Sequence, residues 1–468
     1  MKIAFITPAP FIKRIPLYRW GGKAYGQCNS ITGPLILGGI LKKAGHDVSV
    51  YEELNAHVNI NKLMKTVDVF CFSVITSNAE RAYELADLIH EKSSAKVVMG
   101  GIHITYMPEE ALRHADQVMT GEGEEVILDV IEGRRTEKQV KGTPVCDLDK
   151  LPYPDYSVLK TPCASANIIT TRGCPFKCTF CSTTRMFHPY RKRSIDHVIN
   201  EIKMYKKLGF KYINFEDDNF TADKDRAKEI CRRMIKEDLI FKEVFFFGRA
   251  DLAYDEELLD LLEKAHLNRV LMGIESLNQK ALNAVHKQQN INDIKKAADA
   301  CRRHGIRLIA SIVIGLDEDT VEDIHRSIDF AIDSDAYELQ PAVLTPFPGT
   351  AVYDQLKGEG RLLPDQTWTS YDMMDVTFQP LNMSPWELQE EFYNATRRFY
   401  TWRSARRIGK IFGKEYKWRR MFLAFSSKLG SFGARLAAKV AKKSSYYKVK
   451  HAVWSHPRSR GKQYEETI

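Results

Sequence analysis

The stretch Thr171-Arg172-Gly173-Cys174-Pro175-Phe176-Lys177-Cys178-Thr179-Phe180-Cys181 sets three cysteines in a C-x3-C-x2-C spacing. It directly follows a short apolar run, residues 167–171, that reads as a strand. Thiolates are soft ligands, and closely spaced cysteines on a loop suit zinc or an iron–sulfur cluster. Three ligands are one short of closing a tetrahedral zinc site or a four-iron cube. A cube held by three cysteines keeps one iron open, and an open metal position marks a reactive site rather than a structural one. The competing reading is a zinc knuckle, with Cys163 or His188 as the fourth ligand.

With Phe180 directly before the last cysteine, the motif resembles that of the radical S-adenosylmethionine (SAM) enzymes. The resemblance implies that Cys174, Cys178 and Cys181 hold a [4Fe-4S] cluster whose open iron chelates SAM. It also implies a 5′-deoxyadenosyl radical that abstracts an unactivated hydrogen, and an external one-electron reductant of the flavodoxin or ferredoxin type. The hard chemistry then belongs to the cofactor, and the protein positions it and excludes water.

At 468 residues with 44% hydrophobic content, the chain is expected to form two domains and a tail. Nine cysteines, three clustered and six scattered, do not look like a disulfide framework in so long a chain. No signal peptide and no bilayer-spanning apolar run is visible, which fits a cytoplasmic enzyme. The charge is uneven. Residues 401–468 carry 18 Lys and Arg against 3 Glu, leaving residues 1–400 at −6 within a total of +9.

Residues 1–135 alternate short apolar runs (2–7, 47–51, 68–73, 96–100 and 117–120) with amphipathic helical patterns. Such alternation predicts an α/β fold, a doubly wound parallel sheet whose ligand site lies at the carboxyl ends of the strands. The loops there hold Ser73, Thr76 and Ser77, then Gly100-Gly101-Ile102-His103, then Gly121-Glu122-Gly123-Glu124. Together with Thr32-Gly33-Pro34 and Gly45-His46-Asp47-Val48, these strings resemble the cobalamin-binding (B12) domain preceding the barrel in one large radical SAM subfamily. Ser73, Thr76, Ser77, Gly100, Gly101, His103, Gly121 and Glu122 are the implied cobalamin residues. The D-x-H-x-x-G motif that supplies a lower-axial histidine in methionine-synthase-type domains is absent from residues 1–150. Cobalamin is therefore expected without histidine on cobalt, and His103 is expected to hydrogen-bond the ligand or backbone.

Prolines and polar residues make 136–165 a linker in this reading. Six further strand-like runs, at 167–171, 212–215, 244–248, 269–272, 307–313 and 337–343, suit the open (β/α)6 barrel of radical SAM enzymes, here 166–343. Its active site is expected at the carboxyl ends of the strands. The resemblance assigns SAM to Phe180, to Glu216 or Asp217 for the ammonium, to Glu275 and Ser276 near the ribose, and to Ile314 near the adenine. Arg249, at the end of an apolar strand, suits the SAM carboxylate, with a structural pair to Asp251 as the alternative. No further catalytic residue is identified.

Residues 344–401 are expected to cap the barrel, with Trp368, Tyr371, Met373 and Met374 as core or substrate-pocket side chains. The tail, 402–468, repeats Trp418, Met421, Phe422, Phe425, Leu429 and Phe432 at helical spacing among lysines and arginines. A basic amphipathic helix with aromatics suits an anionic membrane at the inner face, and a docked helix or an RNA-binding tail are the competing readings. The leading function is methylation of an unactivated carbon of a small-molecule, lipid-like or secondary-metabolite substrate through methylcobalamin. Cyclisation or rearrangement, and a non-catalytic cobalamin or Fe–S sensor, are the alternatives. Methylthiolation of tRNA is disfavoured because residues 1–150 offer Cys28, Cys71 and Cys146 without a shared motif.

Overall fold

Short runs buried on both faces favour parallel sheets, and this chain builds them at each place where such a run recurs. In the computed structural model, residues 1–10, 14, 29–364 and 366–425 are described. They form two compact units. One comprises Met1–Pro175, Ser182–Phe220 and Arg232–Val244, and the other Phe176–Cys181, Thr221–Cys231 and the chain from Phe245.

The first unit holds β1 (Lys2–Thr7), α1 (Thr32–Lys43), β2 (Asp47–Glu52), β3 (Val69–Ser73), α2 (Ala79–Lys92), β4 (Lys96–Gly100), β5 (Gln117–Thr120), α3 (Ile127–Ile131) and β6 (Gln139–Lys141). The strands form one sheet in the order β2-β1-β3-β4-β5-β6, every pair parallel. Alternation along the strands sends Ile3, Phe5, Val48, Val50, Val69, Cys71 and Val98 into one core with Leu35 and Leu41 of α1 and Ile127 and Val130 of α3. On α2, Ala82, Leu85, Ala86 and Ile89 form a buried stripe. Chain order reverses between β1 and β3, the switch point at which doubly wound sheets bind ligands.

The linker expectation for 136–165 is corrected. Residues 139–141 add β6 beside β5, with Met119 opposite Val140, and Val140 and Val158 join the core. The Lys160 N–H donates to the Val50 carbonyl at 2.9 Å. Prolines erased the periodicity of this stretch without removing its apolar anchors.

Six strands follow as expected: β7 (Ala166–Ile168), β10 (Tyr212–Phe215), β11 (Glu243–Gly248), β12 (Arg269–Glu275), β13 (Arg307–Ile314) and β14 (Glu338–Val343). In the first unit β10 pairs parallel with β7. In the second, β11, β12, β13 and β14 pair in sequence order, all parallel. Between them lie α4 (Ile195–Lys207), α5 (Lys224–Lys236), α6 (Glu256–Lys264), α7 (Ile291–Arg303) and α8 (Val321–Asp333). The predicted strand 167–171 is shorter than expected. β7 stops at Ile168, and Thr171-Arg172 (β8) forms a two-residue antiparallel ladder with Arg191-Lys192 (β9). The N–H groups of Thr170 and Thr171 are taken by the Asp217 carboxylate instead of a neighbouring strand.

Beyond β14 come α9 (Ala351–Gly358), α10 (Pro385–Phe399) and α11 (Trp402–Ile411). Helix α10 begins with a capping box between Ser384 and Glu387 and packs on α8, where Glu391 meets His325 and Arg398 meets Asp329. Tyr371, Val376 and Phe378 are core, whereas Met373 and Met374 are exposed. No helix among the described residues is long and apolar enough to cross a membrane. The expected helical repeat at Leu429 and Phe432 lies outside the described residues.

Candidate functional site

The first unit opens a cavity of about 450 Å³ along the carboxyl edge of its sheet. Phe5 of β1, Cys71 to Ser73 of β3, Gly100 and Gly101 after β4, and residues 121–124 after β5 supply one side. Ile31 before α1 and Thr32 and Gly33 in its first turn supply another, and Thr171, Arg172, Gly173 and Glu216 a third. The cavity thus meets both the glycine-rich loops and the first residues of the cysteine loop. Gly101 has φ 108°, and a Cβ there would stand 2.5 Å from the Val74 carbonyl oxygen. Gly173, at φ 84°, would place a Cβ 2.2 Å from the carbonyl oxygen of Phe187. Both turns therefore require glycine.

Ser73, Gly100, Gly101, Gly121 and Glu122 line this cavity, but Thr76, Ser77 and His103 do not. Thr76 and Ser77 sit buried in a 3-10 turn, and the buried His103 ring has Nδ1 3.3 Å from Thr76 Oγ1. Burial pushes the His103 imidazole down to about 4. No histidine lines the cavity among the described residues.

The cavity floor is fixed by buried charge. Arg172, directly before Gly173-Cys174, pairs with Glu122 at 2.7 Å and with Glu124. Arg191 pairs with the same Glu122 and donates to the Val145 carbonyl at 2.6 Å. Burial would raise the Glu122 carboxyl, but Arg191, the Val145 N–H and Arg172 outweigh it and hold it low. Glu122 is thus committed to protein partners, a structural role its position in the glycine loop did not disclose. At the end of β2, buried Glu52 accepts hydrogen bonds from Ser30 Oγ at 3.2 Å and from the N–H of cavity-lining Ile31 at 3.1 Å.

After β10, Glu216 and Asp217 separate. Half-buried Glu216 faces the cavity, and burial, then Asp217 and Asp218, push its carboxyl up to about 7. Asp217 is fully buried and accepts from the N–H and hydroxyl of both Thr170 and Thr171. Four donors from the chain occupy its carboxylate, so of the two acids expected near the SAM ammonium Glu216 is the one that faces the cavity.

In the second unit Cys178 and Cys181 are half-buried, and in the first so is Cys174. The Thr179 N–H donates to the Val285 carbonyl and the Thr179 carbonyl accepts from the Val352 N–H, each at 3.2 Å, which pins the loop bearing half-buried Phe180. Arg249 lies 3.7 Å over the Phe176 ring and donates to the carbonyls of Lys287 and Gln288 at 2.6 and 2.9 Å. Its buried Nε finds no partner among the described residues, and no pair with Asp251 forms. An orphaned guanidinium nitrogen beside the cysteine loop fits a carboxylate ligand.

A bulge between Gly273 and Glu275, with Glu275 at φ 63°, turns that side chain onto Lys287 Nζ at 2.5 Å. Lys287 was not legible, because nothing in a sequence marks a partner twelve residues away around a bulge. Ser276 donates to Asp319 at 2.8 Å and accepts from the Asn278 N–H, which holds this loop from within. Ile314 is buried at the end of β13.

Within the first unit the apolar, glycine-lined cleft fits a corrin and Glu216 fits a cationic group, and within the second the thiols of Cys178 and Cys181 fit soft metal and the Nε of Arg249 a carboxylate.

Residues 168–331 match the radical SAM superfamily, and residues 24–131 match the B12 binding domain family. An uncharacterised methyltransferase of Pyrococcus horikoshii is 26% identical over 76% of this chain and 84% of its own length. An anaerobic magnesium-protoporphyrin IX monomethyl ester cyclase of Cereibacter sphaeroides is 26% identical over 99% of this chain and 79% of its own. The solved structure of the cobalamin-dependent SAM radical enzyme OxsB with aqua-cobalamin bound shares the fold, with a TM-score of 0.69, 14% identity, and coverage of 99% of this chain and 75% of that one.

Proposed function

Since the chain belongs to the radical SAM enzymes that carry a B12-binding domain, we propose that it methylates an unactivated carbon of a lipid-like or secondary-metabolite substrate. When bound, the cluster with SAM supplies one-electron chemistry that removes a hydrogen, and the corrinoid supplies the methyl group. Cys174, Cys178 and Cys181 would hold the cluster, and Glu216 and Arg249 the charged ends of SAM. Radical SAM enzymes need a reductant, and a flavodoxin- or ferredoxin-type donor suits this one.

The observation that carries the reading is the cavity itself. One space in the first unit is lined by the glycine loops of the B12-binding sheet and by Thr171 to Gly173, the base of the cysteine loop. Its walls are largely apolar, so they would exclude water from a carbon-centred reaction. The buried pairs of Arg172 and Arg191 hold that base against Glu122 and Glu124. Fixed geometry at the meeting point is what transfer between two bound groups requires.

Anaerobically reconstituted protein, incubated with SAM and dithionite, should carry a corrinoid spectrum and release 5′-deoxyadenosine. With candidate substrates and methyl-deuterated SAM, the label should enter the product and S-adenosylhomocysteine should accumulate. A product lacking the label would favour cyclisation or rearrangement, the second reading, which the 99% span of similarity to the cyclase supports. A full cluster with no 5′-deoxyadenosine would favour a sensor and defeat the enzyme reading.

A further inference from the structure

We propose that the end of the second unit is a docking surface for an anionic lipid membrane. Helix α11 turns Ala405 and Ile408 inward, where both are buried. A second helix, residues 414–425, buries Arg420 and Ala424 against the same body. Some cations here are already used: exposed Arg407 on Asp335, Arg419 on Glu338, and buried Arg420 on the carbonyls of Ala336 and Tyr337. The docked-helix reading of this segment is thereby satisfied on one side only.

The outer sides remain. At 100° per residue, Trp402, Arg403, Arg406, Lys410 and Ile411 occupy the arc of α11 opposite Ala405 and Ile408, and all five are exposed. On the second helix Lys414, Trp418, Met421, Phe422 and Phe425 share the outer arc, with Trp418 65% and Phe425 62% exposed and Met421 and Phe422 half-buried. Gly409 meets the Lys417 side chain, which sets the Trp402 edge of α11 beside the second helix. Four of the twelve exposed large apolar side chains of the described residues fall between 402 and 425, so the patch is not scatter.

Charge selects the occupant. Residues 402–425 hold eight Lys and Arg against one Glu. Arg403, Arg406, Lys410 and Lys414 form no ion pair among the described residues. Unpaired cations around exposed tryptophans match a surface that offers anionic headgroups above an apolar layer, where indoles lodge at the boundary. Nucleic acid would use the cations but leaves Met421 and Phe425 without a role.

The test is flotation of the full chain, with or without cofactors, on phosphatidylcholine vesicles with and without phosphatidylglycerol. Binding should require phosphatidylglycerol and fall with salt. Combined Arg403→Ser, Arg406→Ser, Lys410→Ser and Lys414→Ser should weaken it by at least about tenfold, since each cation contributes on the order of 1 kcal/mol before screening. Trp418→Ser with Phe425→Ser should reduce binding at unchanged charge. Both sets are solvent-facing, so the melting temperature should hold, and 5′-deoxyadenosine release in solution should be unaffected. Vesicle binding unchanged by both sets, no vesicle binding at all, or retention on single-stranded RNA without affinity for vesicles would each overturn the proposal.

Discussion

The carboxyl edge of the B12-binding sheet and the strand ends of the second unit carry equally polar-looking motifs and both pair their acids within the chain, but the first edge also opens a wide cleft. At the first edge, glycines and apolar residues leave a roomy cleft, and the one charged side chain rooted in its glycine loops that was expected to meet a ligand, Glu122, is neutralised by Arg172 and Arg191. At the second, Glu275 is held by Lys287 and Ser276 by Asp319, so the loops are braced from within before a ligand arrives. A bulky, largely apolar group needs space. A small zwitterion needs loops that do not move.

The contrast can be broken most severely at the cysteine loop. Cys178→Ala should abolish iron loading and reductive SAM cleavage while leaving corrinoid uptake by the first unit intact, read by iron content and the visible spectrum of one sample. Arg172→Ala should come next. It strands Glu124 and leaves Glu122 with Arg191 alone, and should cost about 3 kcal/mol in denaturant unfolding, and the corrinoid spectrum should weaken as well. Asp217→Asn removes an acceptor for the Thr170 and Thr171 donors and should cost about 1–3 kcal/mol. If SAM affinity were instead the main loss, with stability unchanged, Asp217 would be a ligand after all and the distinction from Glu216 would fail.

The smallest effect concerns Glu52, which holds the cavity-lining Ile31. Burial, partly opposed by the Ile31 N–H, Thr7 and Ser30, pushes the Glu52 carboxyl up to about 7 from an ordinary 4.5. The folded protein then keeps a proton that the unfolded chain loses. Stability from this group falls as pH rises from about 4.5 to about 7 and levels off above that. Glu52→Gln should flatten this part of the melting-temperature profile. An unchanged slope would place the pH sensitivity elsewhere.

Much of this arrangement was legible in the chain. Lys2–Thr7, Lys96–Gly100 and Gln117–Thr120 occur where their apolar runs stand, because a fully buried parallel strand writes itself locally. Asp217, Ser276, Thr76 and His103 are chemically apt and stand at or near strand ends, and each also holds a partner within the chain that adjacency in sequence does not reveal. The stretch 136–165 misled, since prolines hid Val140 and Val158 as core residues.

The order of residues alone determined the thiol spacing, the alternation that makes two parallel sheets, and the concentration of positive charge after residue 400. Which carboxylates remain available to a ligand, and which aromatic side chains of 402–425 face water, was decided by the fold. Those outcomes depend on contacts between residues tens of positions apart, and on burial, which fixes a charge's cost only once its neighbours are in place.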